Sequence, residues 1–334
     1  MAIFYDQDAD PTLLTGRRVA VLGFGAQGRA QALNLRDSGV EVVVGLRADS
    51  RSRAAAAAAG LATATPAEAV RSADVAVMLV PDPAQPALYA EAVAPNLRAG
   101  GALVFAHGYN IRFGYITPRD DLDVVMVAPL GIGEQVRATY LRGAGVPALL
   151  AVERDATGMA RARALAYARA CGHGRAGIIE TTFAAETETD LFAEQVVLCG
   201  GLTHLVEAAF DTLVEAGYDP DIAYFCCLHE VKLIADLVQA RGITGMRRSI
   251  SPVAEYGDAT RGPRVIDEHV RAEMRRILEE IRSGAFAREL EAEIRAGSPV
   301  VARERERMRA HLIERVGERL RAMMPWLARD GEGR

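Results

Sequence analysis

Short apolar runs alternate with helical stretches through the first half of the chain. Each run is rich in β-branched residues, and the runs cover Arg18–Phe24, Glu41–Leu46, Asp74–Val80, Ala102–Ala106, Val124–Ala128 and Val146–Val152. Buried strands that alternate with helices are typical of a parallel sheet covered on both faces. The alanine run at 54–59 lies where a crossover helix is expected, and alanine favours helix. We therefore predict an α/β domain with a parallel sheet.

The pattern changes after about Thr182. From there to Leu327 the apolar residues recur at three- and four-residue spacing, with breaks near Gly217–Pro220, Gly242–Gly245 and Gly257–Pro263. This spacing predicts a second domain that is all-helical. The predicted organisation is an α/β domain at 1–182, an all-α domain at 183–328 and a tail at 329–334.

A glycine-rich loop follows the first predicted strand. It reads Gly23-Phe24-Gly25-Ala26-Gln27-Gly28 and opens an amphipathic helix, Arg29–Asp37. In a dinucleotide site the first glycine makes a tight turn, the second lets the backbone approach a pyrophosphate, and the third lets helix and strand pack closely. The helix N-terminus then faces the phosphate charge. A purely structural glycine turn is the alternative, which the strand–loop–helix context disfavours.

The end of the second predicted strand bears on which dinucleotide binds. An NAD site places an acidic residue there to bond the ribose 2′-hydroxyl. This chain has Arg47 at the strand end, with Ser50 and Ser52 behind it. A guanidinium and two hydroxyls suit a 2′-phosphate. We expect NADPH rather than NADH, with Asp49 pointing away from the cofactor.

Charge and composition exclude several classes of protein. The net charge is −5, which gives no support to nucleic-acid binding. Arg and Glu alternate at 301–324, which favours a solvated helix face over a nucleic-acid arm. The four cysteines form no CxxC pair. We expect no signal peptide and no apolar run of membrane-spanning length. We expect a soluble cytoplasmic protein with no nucleic-acid or membrane partner.

One long window of the chain is strongly acidic. Between Arg175 and Lys232 there is no other Lys or Arg, while eleven residues are acidic. Asp190 and Glu194 share one face of a predicted helix, and Glu230 stands among apolar residues of another. Carboxylates in apolar helix faces indicate a hard-cation site for Mg²⁺. A solvated acidic face is the alternative, and the spacing alone does not decide between them.

Nearly the whole chain resembles the short form of ketol-acid reductoisomerase. The matching segments include GFGAQGRAQALNLRDSGV, VGLRADSRS, Pro81–Gln85, FAHGYNIRFG, VRATYLRGAGVPALLAV, AGIIETTFAAETETDLFAEQVVLCGG, TLVEAGYDPDIAYF, LHEVKLI and RGPR. The resemblance implies an NADPH-binding Rossmann domain followed by a knotted helical domain that forms a dimer. In that family Mg²⁺ ions bind the oxygens of a small substrate, an alkyl group migrates, and NADPH then reduces the rearranged ketone.

The resemblance also implies roles for individual residues. Asp190, Glu194 and Glu230 match metal ligands, and Ser251 matches a substrate contact. His107 and Glu230 match catalytic positions, and His107 also faces the cofactor. Further residues match cofactor or substrate positions: the cofactor residues are Asp82, Gln85 and Gly133, and the substrate residues are Leu130 and Cys226.

The chain departs from the family around the reacting groups. Leu130 replaces a lysine, Ile132 a proline and Glu134 a histidine of one segment, and Cys226 replaces a glutamate one turn before Glu230. Lys232 is the sole lysine among 39 basic residues, so no other lysine can substitute. Cysteine prefers softer metals, and free cysteine is more often a small buried apolar residue. We therefore expect one Mg²⁺ rather than two.

Three hypotheses follow for the function. The first is an NADPH-dependent reductase of a small ketone or imine in which alkyl migration is impaired or lost; Leu130, Ile132 and Val253 would then contact a longer substrate. The second is a genuine ketol-acid reductoisomerase of valine and isoleucine biosynthesis, with Glu134 or Glu186 compensating for the lost ligand. The third is a pseudoenzyme that binds NADPH without turnover, which the complete phosphate-binding loop disfavours.

Overall fold

A computed structural model describes residues 1–326 of the chain. Its contacts divide into two compact units, of which the first comprises Met1–Thr187 and the second begins at Glu188. The division falls inside a helix, a few residues after the boundary predicted at 182. The predicted tail at 329–334 lies outside the described residues.

The first unit is built on a nine-stranded sheet with the order β1-β9-β8-β7-β6-β5-β2-β3-β4. The strands are β1 Ile3–Phe4, β2 Arg18–Leu22, β3 Glu41–Gly45, β4 Ala62–Ala64, β5 Val75–Met78, β6 Ala102–Phe105, β7 Asp123–Pro129, β8 Ala148–Arg154 and β9 Ile178–Glu180. Strand β2 pairs in parallel with both β3 and β5, so the chain order reverses beside it. In an open α/β sheet this reversal marks the ligand crevice.

All six predicted strands are present, but two features of the sheet differ from the prediction. Three strands of two or three residues were missed, since β1, β4 and β9 are too short to leave a pattern. The sheet is also not wholly parallel, because β8 runs antiparallel to β7 and β1 antiparallel to β9. An apolar run predicts a buried strand but carries no information on its direction.

Helices cover both faces of this sheet. They are α1 Ala26–Asp37, α2 Ser52–Ala58, α3 Pro66–Arg71, α4 Gln85–Leu88, α5 Tyr109–Arg112, α6 Gly133–Leu141 and α7 Ala160–Ala170. Alternate residues of β2 enter different cores: Val19 and Val21 belong to one apolar cluster, and Ala20 and Leu22 to the other. The period-two alternation therefore buries apolar side chains on both sides, as the sequence predicted.

The second unit is helical throughout its described residues. Its helices follow α8 Phe183–Ala193 and are α9 Gly200–Glu215, α10 Pro220–Tyr224, α11 Val231–Arg247, α12 Pro252–Val265, α13 Glu268–Arg282, α14 Ala285–Arg295, α15 Pro299–Ala310 and α16 Leu312–Ala322. A small buried cluster joins α9, α10 and α16 through Phe210, Tyr224 and Leu320. The all-helical prediction is confirmed, and the knot stays a prediction.

Two of the three predicted helix breaks are present. A turn separates α9 from α10 at Gly217, and Gly242 has non-helical angles (φ 67°, ψ 173°) inside α11. The break predicted at Gly257–Pro263 is wrong, because α12 runs through it to Val265. Pro263 lies in the last turn of α12, and the helix ends two residues after it, at Val265.

One helical run is more apolar than the sequence analysis allowed. Phe183–Glu215 spans 33 residues, and its most apolar 18-residue window has a mean hydropathy of 1.4, so the helix is long and apolar enough to cross a membrane by length and composition alone. Our expectation that no segment reaches that length was wrong, because interspersed acidic residues hid the run. Only 6% of its most apolar window is buried within the chain. A helix covered by a second protein chain passes the same test.

Candidate active site

The glycine-rich loop lies at the end of β2 and leads into α1. Gly23 has φ of +110°, and a Cβ added there would lie 2.6 Å from the carbonyl oxygen of Leu79. A Cβ on Gly28 would lie 2.4 Å from the carbonyl oxygen of Gly23. Gly25 is different, because a Cβ added there would meet nothing within 4 Å among the described residues. Packing therefore demands the first and third glycines, while the second leaves space open at the helix N-terminus.

A cleft of about 1100 Å³ opens over this loop in the first unit. Eleven of the predicted cofactor residues line it: Gly23, Phe24, Gly25, Ala26, Gln27, Arg47, Ser50, Ser52, Asp82, Gln85 and His107. Gly28 and Gly133 do not line the cleft. A Cβ on Gly133 would lie 2.3 Å from the carbonyl group of Ala26, so this glycine lets α6 begin directly against the loop. The cleft fits a dinucleotide, since it joins an uncapped helix N-terminus to the strand ends on both sides.

The end of β3 forms one side of the cleft. Arg47, Ser50 and Ser52 line it, and Asp49 is absent from its lining among the described residues. The Nε atom of Arg47 lies 3.8 Å from Oδ1 of Asp49, and both side chains are about four-fifths exposed. The Arg53 guanidinium donates to the carbonyl oxygen of Leu46 at 2.8 Å and holds the turn. One cationic side chain and two hydroxyls thus line the cleft at the end of β3.

Buried amides hold the turn after β5. Gln85 donates from Nε2 to the carbonyl oxygen of Val80 at 3.0 Å and to Oδ1 of Asp82 at 3.2 Å. Asn110, which the sequence analysis missed, donates from Nδ2 to the carbonyl oxygen of Asp82 and to Oε1 of Gln85, both at 3.1 Å. The polar atoms of Gln85 are therefore bonded within the protein. This geometry makes Gln85 a support for Asp82, while its contact with a cofactor stays a prediction.

His107 follows β6 and has a carboxylate partner. Its Nδ1 lies 3.0 Å from Oε1 of Glu186, which is 3% exposed. The other carboxylate oxygen accepts the backbone N–H of Gly108 at 2.8 Å and lies 3.3 Å from the hydroxyl of Thr187. A carboxylate only accepts, so Nδ1 carries a proton. The sequence analysis considered Glu186 only as a substitute metal ligand; its pairing with His107 joins residues 79 positions apart and left no local signal.

The segment with the departures from the family follows β7. Leu130 is 50% exposed and Ile132 is 68% exposed, and Glu134 lies in the first turn of α6. The carbonyl oxygen of Gly131 accepts a 2.8 Å hydrogen bond from Nε2 of Gln27. The side-chain amide of Gln27 therefore ties this loop to the glycine-rich loop.

The remaining predicted site residues belong to the second unit. Asp190 lies on α8 and is partly exposed, whereas Glu194, Cys226, Glu230 and Ser251 are exposed. A π-helical segment begins at Glu194, and a second one ends just before Glu230. Among the described residues, neither Glu194 nor Glu230 belongs to a group of three potential metal ligands within 4.8 Å of one another. Their joint role as ligands stays a prediction, as does the substrate contact of Ser251, whose hydroxyl caps α12.

A group with metal-ligand residue types, Glu207, Asp211 and His311, lies in this unit. Nδ1 of His311 accepts the backbone N–H of Ile313 at 3.2 Å, and its Nε2 lies 3.7 Å from Oε1 of Glu207 and 3.4 Å from Oδ2 of Asp211. The Arg307 guanidinium also pairs with Glu207 and holds the pKa of this carboxyl below its usual value. The group is an ion-pair network between α9, α15 and α16 rather than a cation site.

A parallel-sheet switch point with a glycine loop and a cleft across it defines a nicotinamide dinucleotide-binding oxidoreductase. Two family models then cover almost all of the chain. Residues 13–177 match the NADPH-binding domain of acetohydroxy acid isomeroreductase, and residues 183–326 match the C-terminal domain of ketol-acid reductoisomerase. The chain belongs to the ketol-acid reductoisomerase family. The resemblance inferred from the sequence is confirmed, as are the fold and the class of enzyme, an NAD(P)H-dependent oxidoreductase.

Solved structures agree with this assignment. An NADH-preferring ketol-acid reductoisomerase from an uncultured archean is 44% identical, with a TM-score of 0.94 over 96% of this chain and 99% of that one. A semialdehyde dehydrogenase NAD-binding protein from Cupriavidus necator is 19% identical, with a TM-score of 0.60 over 80% of this chain and 99% of that one. A pyrroline-5-carboxylate reductase from Coxiella burnetii is 13% identical, with a TM-score of 0.56 over 81% and 98%. The last two show a likeness of fold alone.

Proposed function

We propose that this protein is an NADPH-dependent reductase of a small ketone or imine in which the alkyl migration typical of its family is impaired or lost. The proposal rests on a contrast within the first unit. The dinucleotide cleft retains its glycines and its predicted cationic end, whereas the loop after β7 presents Leu130 and Ile132. Leucine can neither stabilise developing negative charge nor move a proton. Hydride transfer requires a positioned cofactor, while migration also needs charge stabilisation at the substrate oxygens.

The binding of NADPH is supported by Arg47, Ser50 and Ser52 at the end of β3. The 44%-identical relative prefers NADH, so membership of the family does not decide the preference. Asp49 lies 3.8 Å from Nε of Arg47 but is absent from the described lining of the cleft, and this absence favours the phosphorylated cofactor. When bound, this cofactor supplies the hydride. The chain's own part is to bind the pyrophosphate on the N-terminus of α1 and to hold a proton on Nδ1 of His107.

For the metal we propose one Mg²⁺ ion rather than two. Asp190, Glu194 and Glu230 offer hard oxygen ligands, and water can complete an octahedron around one ion. Cys226 offers a sulfur atom that suits a softer metal. The three carboxylates therefore fit one Mg²⁺ ion. The sulfur atom of Cys226 does not fit a second Mg²⁺ ion.

We also propose that two or more copies of the chain associate around the second unit. The helical run Phe183–Glu215 leaves its most apolar window 6% buried, and such a run requires cover in water. Exposed Val197, Leu198 and Leu205 lie along it. A second copy supplies a matching apolar surface by symmetry. A cytoplasmic location and the lack of nucleic-acid and membrane partners stay predictions.

The decisive experiment measures NADPH oxidation with 2-acetolactate and with its already rearranged 3-hydroxy-2-keto isomer, with and without Mg²⁺. Turnover of the rearranged ketone alone is the expected result. Brisk turnover of 2-acetolactate would contradict the loss of isomerisation. It would favour the second candidate, a genuine ketol-acid reductoisomerase, which is supported by the 44% identity over 96% of the chain.

A double variant tests the cause. Leu130→Lys with Cys226→Glu should restore part of the isomerisation of 2-acetolactate. If the variant binds two metal ions by calorimetry and still does not convert 2-acetolactate, these two positions are not responsible. Absence of turnover on both substrates by the wild type, with intact NADPH binding, would favour a different carbonyl, an imine or a pseudoenzyme.

A further inference from the structure

The loop after β7 follows the strand next to the His107 end of the cleft, although Leu130 and Ile132 are not among the described residues that line the cleft. The cleft extends from Arg47 at the end of β3 to His107 at the end of β6, across the switch point beside β2. With the 2′ substituent of the adenosine at Arg47, the nicotinamide lies toward β6. Strand β7 pairs in parallel with β6, so Leu130 follows the neighbouring strand end. The reacting face of the cofactor and this loop therefore share one edge of the sheet.

The loop is fixed rather than free. The backbone N–H of Leu130 donates to the carbonyl oxygen of Pro147 at 2.8 Å, and Gln27 holds the carbonyl oxygen of Gly131 at 2.8 Å. Gly133 packs directly against the Ala26 carbonyl group. Two of these contacts hold the segment of four residues against the glycine-rich loop, and the third ties it to Pro147, just before β8. Side chains on a fixed segment can select a ligand, because little order has to be gained on binding.

The side chains that this segment presents are apolar and large. Leu130 is 50% exposed and Ile132 is 68% exposed, although Gly133 beside them is buried. A single exposed leucine does not by itself indicate a binding site. Two such side chains on an anchored loop at the ligand edge of the sheet indicate a binding site for an apolar group, because residues 130–133 contribute no cation to receive a carboxylate.

We propose that Leu130 and Ile132 determine substrate specificity by binding an alkyl substituent of the reduced carbonyl compound. This inference rests on the proposed reductase function and deepens it, since it names the substrate class: compounds with an extended apolar group on the side of the carbonyl that faces this loop. The carboxylate or other polar group of the substrate binds on the opposite side.

The test uses a homologous series of straight-chain 2-oxo acids, from pyruvate to 2-oxohexanoate, with NADPH and Mg²⁺. For the wild-type protein kcat/KM should rise by about fourfold for each methylene that becomes buried. Leu130→Gln retains the size of the side chain and adds a polar group, so it should flatten this dependence, and Ile132→Ala should weaken it. Leu141→Gln is the matched control: it is 65% exposed at the far end of α6 and should leave the series unchanged.

Each outcome of this test either supports or overturns the inference. A series that is independent of chain length in the wild type, or equally steep in Leu130→Gln, overturns the inference while the reductase stands. A change in oligomeric state of Leu130→Gln without a change in the series also overturns it, because a second copy then covers the loop. If no oxo acid is reduced, the reductase proposal fails. The inference then stands only if quenching of bound NADPH fluorescence shows saturated carboxylates, from propanoate to hexanoate, binding more tightly with length in the wild type but not in Leu130→Gln.

Discussion

The two units of this protein bury apolar surface to very different degrees. In the first, both faces of the sheet lie under helices, and residues such as Val21, Leu22 and Val104 are at most 2% exposed. In the second, the buried cluster is small, while many large apolar side chains are at least one-third exposed. Since apolar burial is the main stabilising term in folding, the first unit has its own core and the second depends on further contacts. This contrast agrees with a cofactor domain in the first unit and with the association of copies that we propose for the second.

Breaking the apolar surface of the second unit should have the largest effect. Leu205 is 49% exposed on α9, and Leu205→Glu places a charge on the face that we assign to a second copy. We expect the dimer to dissociate at micromolar concentration, as measured by sedimentation velocity. The melting temperature of the wild type should also rise with protein concentration.

The matched control for this variant is Leu141→Glu in the first unit, which is also exposed and should leave the assembly intact. A Leu205→Glu protein that sediments like the wild type would contradict the role of this face. It would leave the difference in burial between the units without an explanation.

Two glycines of the glycine-rich loop should affect different properties of the first unit, one its stability and the other its binding of NADPH. Gly23→Ala brings a Cβ within 2.6 Å of a backbone oxygen at a positive φ, so we expect a loss of about 2–4 kcal/mol in the free energy of unfolding. Gly25→Ala adds a Cβ that meets nothing in the described structure, so it should fold normally and weaken NADPH binding at least tenfold. Urea unfolding and NADPH fluorescence titration measure the two effects. Equal losses of stability in both variants would show that the open space at Gly25 is not reserved for a ligand.

Burial of His173 in the first unit should make the stability of the protein depend on pH. Burial lowers the pKa of His173 to about 4, and its Nδ1 lies 2.7 Å from the carbonyl oxygen of Val146. The unfolded chain, with a histidine pKa near 6.5, binds more protons between these values, so stability falls as the pH decreases from about 6.5 to 4. The whole contribution is about 3 kcal/mol.

The comparison that isolates this effect uses two asparagine variants. His173→Asn can still donate to Val146 but does not titrate, so the fall in stability between pH 6.5 and 4 should be smaller than in the wild type. His204→Asn, in the second unit, changes a side chain that is 68% exposed and should retain the full fall. The free energy of unfolding of both variants is measured by denaturant unfolding across this pH range. An equal fall in the two variants would contradict the assignment of the pH dependence to His173.

The sequence predicted the features that depend on local pattern. The six longer strands, the glycine loop and the helical second unit all follow from the spacing of apolar residues and glycines, and the added-Cβ contacts of Gly23 and Gly28 bear out the reasons given for them. Contacts between distant positions were not predictable in this way. Glu186 with His107 and Asn110 with Asp82 join residues 79 and 28 positions apart, and the chain holds no periodic signal for such pairs. Among the described residues, the exposed carboxylate of Glu230 shows no partner from which a role could be argued.

The smallest predicted effect concerns the choice of cofactor. Arg47 lines the cleft and is free to swing, since its 3.8 Å contact with Asp49 is fully solvated and contributes little. Arg47→Gln should therefore weaken NADPH binding about tenfold, or about 1.4 kcal/mol, and leave NADH binding unchanged. Arg51→Gln is the control, because Arg51 is exposed on the same turn but does not line the cleft. If Arg47→Gln weakens both cofactors equally, Arg47 contacts a group that they share, and the 2′-phosphate is recognised by Ser50 and Ser52 alone or is not recognised.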